Sequence, residues 1–336
     1  MKQMKQTTMR RLISIGMLLV LILLFTALVG AGEGKFLSMD NLLAVVRDAS
    51  VVAIIGVGVT YVIITAGIDL STGSALALVG MTMANIYAYT LWPIPVMLLA
   101  GIAVGILAGI CNGYIVAKLH LPEFIATLAT MSIFRALTYV IAIKDQNGVI
   151  QSQPMTYSSF TALGGAVGKI HYVSIVMLLF VIVGEIVLKY TRFGTNLYSV
   201  GANKKAATLS GIDVEKTQMI AYAIVGFCVA VGAIFTTARL QSATTALGTD
   251  FEFNPIAASV VGGVALSGGS GDVIGMLIGA LFMATLENGV RKLAINTAFQ
   301  YVIKGAIIIL VVIFDAVYKT YMDRKAREEG AKEGLE

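Results

Sequence analysis

Charged side chains are scarce in this 336-residue chain: Asp, Glu, Lys and Arg make up 13% of it, against roughly 25% in soluble domains. Hydrophobic residues make up 57%, and the mean hydropathy is +0.87. This composition leaves almost no room for a soluble domain and predicts an all-α polytopic membrane protein. Most of the basic residues lie at the ends of apolar runs, where they orient membrane helices. The net charge of +5 therefore does not indicate nucleic-acid binding.

Sequence motifs of enzymes are also absent. The chain has no G-x-x-x-x-G-K-[ST] phosphate cradle, no H-E-x-x-H zinc motif and no nucleophile elbow, and it holds only two histidines. We therefore expect a protein that is not an enzyme and that needs no cofactor or metal ion. Any energy source other than an ion gradient must come from a partner. Both cysteines, Cys111 and Cys228, fall within apolar runs, so we expect packing residues rather than a disulfide.

Apolar runs long enough to cross a membrane, about 20 residues each, predict ten crossings. The runs are 12–30, 51–66, 75–90, 96–117, 124–143, 171–188, 219–237, 256–266, 273–286 and 299–318. The first exceeds the apolar core of a signal peptide, so we expect it to be retained. Residues 39–46 predict an amphipathic piece at the surface, and residues 239–252 predict a polar external loop. The run 256–266 is too short to cross the membrane alone and could instead be re-entrant. Nine or eleven crossings therefore stay open as alternatives.

Basic residues are distributed unequally between the two sides. With ten crossings, fifteen Lys and Arg residues fall on one side and seven on the other. Because cytoplasmic loops collect Lys and Arg, the richer side is predicted to be cytoplasmic. It holds both tails, residues 1–11 and 319–336, and the polar loop 189–217. The whole chain, residues 1–336, is expected to form a single transmembrane domain.

The polar loop near the middle of the chain is the longest basic stretch between two apolar blocks, with five bases against two acids. Its middle, residues 202–211, is rich in helix formers and ends on Gly211, which predicts a short helix with a glycine C-cap. A short helix held on the cytoplasmic face of a membrane domain suits the docking of a soluble partner. We therefore call residues 189–217 the docking segment.

Two stretches, residues 67–73 and 262–271, place glycine, serine and aspartate between apolar runs. Broken backbone at membrane depth is tolerated where protein or a water-filled cavity satisfies it, and transporters carry such breaks in both halves of an internal repeat. We expect interrupted or short helices in each half; ordinary tight turns are the alternative. Asp69 is either a functional acid within the membrane or part of a helix cap. Arg135 is expected to face a cavity or a carboxylate.

A resemblance to a known family covers nearly the whole chain. The stretches that carry it are VIITAGIDLSTGSALAL (62–78), LPEFIATLATM (121–131), TRFGTNLYSVGANKKAATLSGI (191–212), FEFNPIAASVVGGVALSGGSG (251–271) and QYVIKGAIII (300–309). In this order they resemble the permease subunits of bacterial ABC importers for monosaccharides, of the ribose and galactose type. The resemblance implies a bacterial inner-membrane protein that works by alternating access. The implied partners are a cytoplasmic ABC ATPase, a periplasmic or lipid-anchored sugar-binding protein and a second permease chain, identical or related.

The resemblance also implies roles for individual residues of the docking segment. Ala206, Ala207 and Gly211 match the Ala-Ala-x-x-x-Gly core of the coupling motif, whereas Lys205 stands where that motif usually has Glu, and the downstream Ile-x-Leu-Pro is missing. The residues expected to couple to the ATPase are Gly201, Asn203, Ala206, Ala207, Ser210 and Gly211.

A sugar path needs hydroxyl, amide and aromatic groups more than charge. The candidate path residues are Asp69, Ser71, Thr72, Asn112, Thr127, Arg135 and Tyr139. Two other functions stay open: a secondary transporter of a small polar solute that is driven by an ion gradient, and a passive channel or membrane scaffold. Uptake that is driven by a proton or sodium gradient without an ATPase separates the first from an importer.

Overall fold

The computed structural model of the chain describes residues 2–30, 35–89, 93–144, 146, 148–150, 152–296, 298–307, 309, 310, 313 and 317. Its helices are α1 (Lys2–Val29), α2 (Met39–Ile64), α3 (Thr72–Tyr89), α4 (Ile94–Ala117), α5 (Glu123–Ile141), α6 (Ser158–Thr161), α7 (Tyr172–Tyr190), α8 (Arg192–Ala202), α9 (Lys204–Leu209), α10 (Val214–Leu240), α11 (Phe253–Val261), α12 (Val273–Lys292) and α13 (298–307). Four two-residue strands pair as β1 (Gln153–Pro154) with β4 (Ser242–Ala243) and β2 (Ala166–Val167) with β3 (Ile170–His171). The predicted all-α membrane bundle is confirmed.

Seven of the described helices are long and apolar enough to cross a membrane. They are α1 from Arg11 onward, α2, α4, α5, α7, α10 and α12. Helix α3 has 18 residues, about 27 Å at the rise of an α-helix, and it is nearly as long as a span. Its side chains are mostly buried inside the bundle, so its lower hydropathy reflects contact with protein rather than with lipid.

Ion pairs bring the ends of several helices together at the docking segment. Lys204 of α9 pairs with Glu123 at the start of α5 (2.8 Å), and Lys118, just after α4, pairs with Glu215 at the start of α10. We call this end of the bundle the docking end. The start of α1 lies there as well, because Arg11 pairs with residues at the end of α7 and the start of α12.

The far end of the bundle is marked by a second ion cluster. Asp48 of α2 pairs with Arg239 (3.1 Å) and Arg291 (2.8 Å), which lie in the last turns of α10 and α12. Consecutive long helices thus run between the docking end and the far end. Among the described bases, Arg11, Lys118 and Lys204 lie at the docking end, and Lys169, Arg239 and Arg291 lie at the far end.

Helix α2 begins earlier than the sequence predicted. Residues 39–46, expected to lie as a separate amphipathic piece, form its first turns, and Ser38 caps them by accepting a hydrogen bond from the amide of Asn41. The side-chain amide of Asn41 donates to the side-chain oxygen of Asn288 in α12 (3.0 Å). This prediction is wrong because no glycine or proline separates residue 39 from the apolar run, so the helix continues.

Between α10 and α12 the chain passes back through the bundle as a non-helical segment followed by the short helix α11, and we call this path the interrupted crossing. Residues 239–252, predicted to be an external loop, run back along α3: the backbone of Gly248 lies against Gly73, and the side chain of Glu252 is buried. Helix α11 then continues toward the docking end, where Ser259 meets Thr60 of α2 (3.2 Å). The predicted run 256–266 is therefore half a helix followed by a non-helical turn. Part of the predicted run 299–318, and the whole predicted tail 319–336, lie outside the described residues.

Helices α4 and α10 pack backbone to backbone. Gly105, Gly109 and Gly113, spaced at every fourth residue of α4, face α10, and a Cβ at Gly109 would overlap the carbonyl oxygen of Tyr222. A Cβ at Gly105 would come within 2.7 Å of the Cβ of Ala230. Small residues allow this approach, and it brings Asn112 and Tyr222 to the same point near the docking end.

Candidate functional site

The docking segment folds as two short helices rather than one. Helix α8 starts at a Thr191 cap, whose hydroxyl accepts a hydrogen bond from the amide of Gly194 (3.3 Å), and it buries Leu197 and Val200 against the bundle. Helix α9 starts at Asn203, whose side-chain oxygen accepts from the amide of Ala206 (3.0 Å). Sequence analysis did not predict α8 as a separate helix. Only Thr191 lies between α8 and the apolar α7, and α8 has a polar outer face beside its buried inner face.

The end of α9 requires a glycine. Gly211 has φ +81°, a conformation that favours glycine. The amide of Ile212 donates to the carbonyl of Ala207 (3.0 Å) and that of Gly211 to the carbonyl of Thr208 (3.0 Å), which is the bonding pattern of a glycine-terminated helix. The predicted short helix closed by Gly211 is confirmed.

Helix α9 projects side chains away from the bundle. Ala207 is buried, whereas Asn203, Ala206, Ser210 and Gly211 are exposed. The side chain of Leu209 is 91% exposed, although it is apolar and lies at the docking end. Sequence analysis missed Leu209 as a candidate; its signal is a single large apolar residue among the polar and small residues of a short surface helix.

The docking segment packs against the end of α2, just before the first interrupted stretch, and against the second interrupted stretch. Gly201, at the end of α8, is so close to α2 that a Cβ would overlap the carbonyl oxygen of Ile64 and lie 2.5 Å from the amide of Gly269. The amide of Gly269 itself donates to the Ile64 carbonyl (2.8 Å). One turn earlier in α8, the hydroxyl of Tyr198 donates to the carbonyl of Gly271 (2.7 Å). A displacement of α8 therefore acts directly on the end of α2 and on the loop 262–271.

Charged groups tie the same end together. Glu185 of α7 and Asp272 share Arg11 of α1 (3.0 and 2.8 Å). Asp272 also caps α12 by accepting from the amide of Gly275 (2.6 Å), and Glu185 accepts from the amide of Val273 (3.0 Å). Negative charge at a helix N-terminus is stabilising, so α1, α7 and α12 are fixed to each other beside α8.

A short ion pair joins the end of α4 to the start of α10. It forms between Lys118 and Glu215, and the hydrogen bond to Glu215 raises the pKa of the exposed Lys118 above its usual value. Both groups are solvated, so we expect the pair to contribute little to stability.

A buried polar cluster fills the break between α2 and α3. Asp69 Oδ1 accepts hydrogen bonds from the amide and the hydroxyl of Ser71 (2.8 and 2.7 Å), immediately before α3 starts. The Asn112 amide of α4 donates to the Ser71 hydroxyl (2.7 Å) and lies 3.4 Å from both oxygens of Asp69. Asp69 and Asn112 are each 1% exposed. Within the described part of the chain, no basic side chain pairs with Asp69.

Backbone groups of the break are bonded from two further helices. The hydroxyls of Thr127 in α5 and Tyr222 in α10 both donate to the carbonyl of Ile68 (3.2 and 3.3 Å). The Thr72 hydroxyl and the Asn112 side-chain oxygen are buried and have no partner among the described residues. Sequence analysis missed Tyr222, which lies inside a long apolar run.

The remaining candidate path residues lie elsewhere. Arg135 of α5 donates to the carbonyls of Thr245 (2.6 Å) and Leu247 (2.9 Å), rather than to a carboxylate, and so holds the interrupted crossing against α5. Tyr139 is 45% exposed on the outer surface of α5. The structure thus brings together Asp69, Ser71, Asn112 and Thr127, places Thr72 next to them, and separates Arg135 and Tyr139 from them.

The similarity of this chain to known proteins extends over both the docking segment and the buried polar cluster. The family model of the permease component of the branched-chain amino acid transport system matches residues 41–312. The ribose import permease protein of Haemophilus influenzae is 38% identical over 303 residues, covering 88% of this chain and 91% of the relative. That of Escherichia coli strain K12 is 36% identical, covering 88% and 92%. The xylose transport system permease protein of H. influenzae is 32% identical, covering 87% and 93%.

Proposed function

Because the chain belongs to this family of transport-system permease components, we propose that it is the membrane subunit of an ATP-driven importer of a monosaccharide. The observation that carries this proposal is the 38% identity to a ribose import permease over almost the full length of both chains. A ribose-like sugar is favoured over a galactose-like one, because the relatives compared are named for ribose and xylose, both pentoses. The proposed location is the bacterial inner membrane.

The proposed motor is a separate ABC ATPase that docks on α9. Three features support this: the chain lacks a phosphate cradle of its own, α9 projects Leu209 from the bundle, and basic residues surround that helix. The docking end is therefore the proposed cytoplasmic end. The residues proposed to couple to the ATPase are Gly201, Asn203, Ala206, Ala207, Ser210 and Gly211, with Leu209 added.

Force from the ATPase reaches the bundle through α8 in this proposal. Gly201 and Tyr198 of α8 contact the end of α2 and the loop 262–271, and these elements flank the two interrupted crossings. ATP binding moves the docking helices of two permease chains, and the path between the chains opens alternately to the two sides. A periplasmic or lipid-anchored binding protein delivers the sugar at the far end.

The buried polar cluster has a positioning role in this proposal. In the single chain, Asp69, Asn112 and Thr127 are at most 1% exposed, so they do not face a path between two chains. Asp69 accepts the hydrogen bonds that precede α3, and we propose that it fixes the break next to the docking segment. Specificity for the sugar then resides mainly in the binding protein.

The test is reconstitution of the complete importer in lipid nanodiscs, with the ATPase and binding protein encoded beside this chain. We expect ribose-loaded binding protein to stimulate ATP hydrolysis, whereas the sugar-free binding protein and a loaded binding protein of unrelated specificity serve as controls. ATP hydrolysis that does not respond to any loaded binding protein, or sugar uptake by this chain alone under a proton or sodium gradient, would refute the importer and favour a secondary transporter.

A further inference from the structure

A cavity of about 220 Å³, lined by both apolar and charged side chains, lies at the far end of the bundle. Its walls come from the first half of α2, the last turns of α10 and α12, the start of α7 and the beginning of α11. The lining side chains that matter here are Arg47, Arg239, Arg291, Asp48, Asn254 and His171. None of them belongs to the docking segment or to the Asp69 cluster, so the functions proposed above leave this cavity without a role.

The cavity carries an excess of positive charge. Asp48 is bonded by Arg47 (3.0 Å), Arg239 (3.1 Å) and Arg291 (2.8 Å), so one carboxylate faces three guanidinium groups. Three guanidinium groups offer about fifteen N–H donors, whereas one carboxylate accepts about four hydrogen bonds. Glu287, the other acid of the lining, is paired with Lys304 (3.3 Å) and does not offset the excess.

Two residues that line the cavity each carry a buried polar atom that has no partner among the described residues. These atoms are the side-chain oxygen of Asn254 and Nδ1 of His171. Asn254 is 8% exposed, and its unpaired oxygen is an acceptor; turning the amide by 180° places the NH₂ donor at that position, where it can meet an anion. Buried polar groups without a partner are uncommon and costly in folded proteins, which indicates that a polar ligand completes the hydrogen bonding here.

We propose that this cavity binds a small anion with a carboxylate or phosphate group. Guanidinium groups recognise both through paired, charge-assisted hydrogen bonds, and a volume of about 220 Å³ suits a ligand of few heavy atoms. The Asn254 amide supplies a further, neutral hydrogen bond. A bound anion bridges the ends of α2, α10 and α12 and relieves the repulsion among their three arginines.

The experiment is calorimetric titration of the full chain, assembled with its partners in nanodiscs of neutral lipid. Inorganic phosphate and acetate are the probes, and chloride keeps the ionic strength constant. We expect saturable binding of at least one probe, one ion per chain. Arg291→Gln should weaken this binding by about tenfold or more, the loss expected for one charge-assisted hydrogen bond. Lys169→Gln is the matched control, because Lys169 lies at the same end, pairs with Asp40 and does not line the cavity.

A second variant, Asn254→Ala, distinguishes loss of binding from a folding defect of Arg291→Gln, because it leaves every ion pair in place. We expect it to weaken anion binding several-fold without changing the melting temperature of the anion-free protein. Loss of phosphate binding in nanodiscs of phosphatidylglycerol would identify a lipid headgroup as the source of the same phosphate group. The proposal is overturned if neither probe binds saturably in neutral lipid, or if Arg291→Gln and Asn254→Ala bind the probe as tightly as the unmodified chain.

Discussion

Replacing Leu209 is the most direct test of the proposed docking of an ATPase. The side chain is 91% exposed, so it makes little contact with its own chain. Surface substitutions of this kind change the free energy of unfolding by about 0.5 kcal/mol or less. Leu209→Ala should therefore leave the permease folded, and any loss of ATPase binding reports on the contact between the two subunits.

The size of the expected loss follows from the apolar area that docking would bury. Full burial of a leucine side chain contributes about 1.5–3 kcal/mol, and alanine retains only the Cβ. We therefore expect Leu209→Ala to weaken ATPase binding by roughly 1–2 kcal/mol, which is about a 5- to 30-fold increase in the dissociation constant.

The assay is ATPase binding to the permease in nanodiscs, measured by titration, together with sugar-stimulated ATP hydrolysis. Leu179→Ala is the control: Leu179 is 58% exposed, but it lies in the middle of α7, away from the docking end. We expect the control to bind the ATPase normally. An unchanged dissociation constant for Leu209→Ala, or an equal loss in the control, would show that α9 is not the docking helix.

Three further substitutions follow from the same geometry. Gly201→Ala should force α8 away from α2 at a cost of about 1–3 kcal/mol, and it should lower both the melting temperature and the sugar-stimulated ATP hydrolysis. The control is Gly16→Ala, which should change neither, because a Cβ at Gly16 meets no other atom. Gly211→Val should cost about 1–2 kcal/mol because of the positive φ and abolish uptake at normal membrane abundance; normal uptake contradicts the coupling role. Asp69→Ala should lower the free energy of unfolding by about 1–3 kcal/mol, and with it the melting temperature, while uptake per folded molecule stays unchanged. Reduced uptake per folded molecule would instead make Asp69 a transport residue.

Long apolar runs made most of the helices predictable. The run 96–117 became α4 (Ile94–Ala117), and the run 75–90 became α3 (Thr72–Tyr89). The agreement has a physical reason: a helix that crosses a membrane satisfies its own backbone hydrogen bonds, so composition and length alone define it.

The interrupted crossing was not predictable from local sequence. Its non-helical part, residues 241–252, is held by contacts between distant positions: Arg135 bonds to the carbonyls of Thr245 and Leu247, which are 110 and 112 residues away. A polar stretch with such partners looks the same in the sequence as an external loop. The sequence also singled out Asp69 and Asn112 by residue type alone, and their meeting depends on a contact between positions 43 residues apart that local sequence does not show.

The second break is bonded directly to the end of α2, which leads into the first break, although about 200 residues separate the two breaks. The amide of Gly269 bonds to the carbonyl of Ile64, so the loop before α12 and the end of α2 are joined directly, and α8 lies across the joint with Gly201 in contact with both. Packed interfaces of this kind are bistable rather than continuously deformable. A small displacement of α8 is therefore expected either to leave the joint intact or to shift both breaks together, and the proposed coupling to a separate ATPase requires this property.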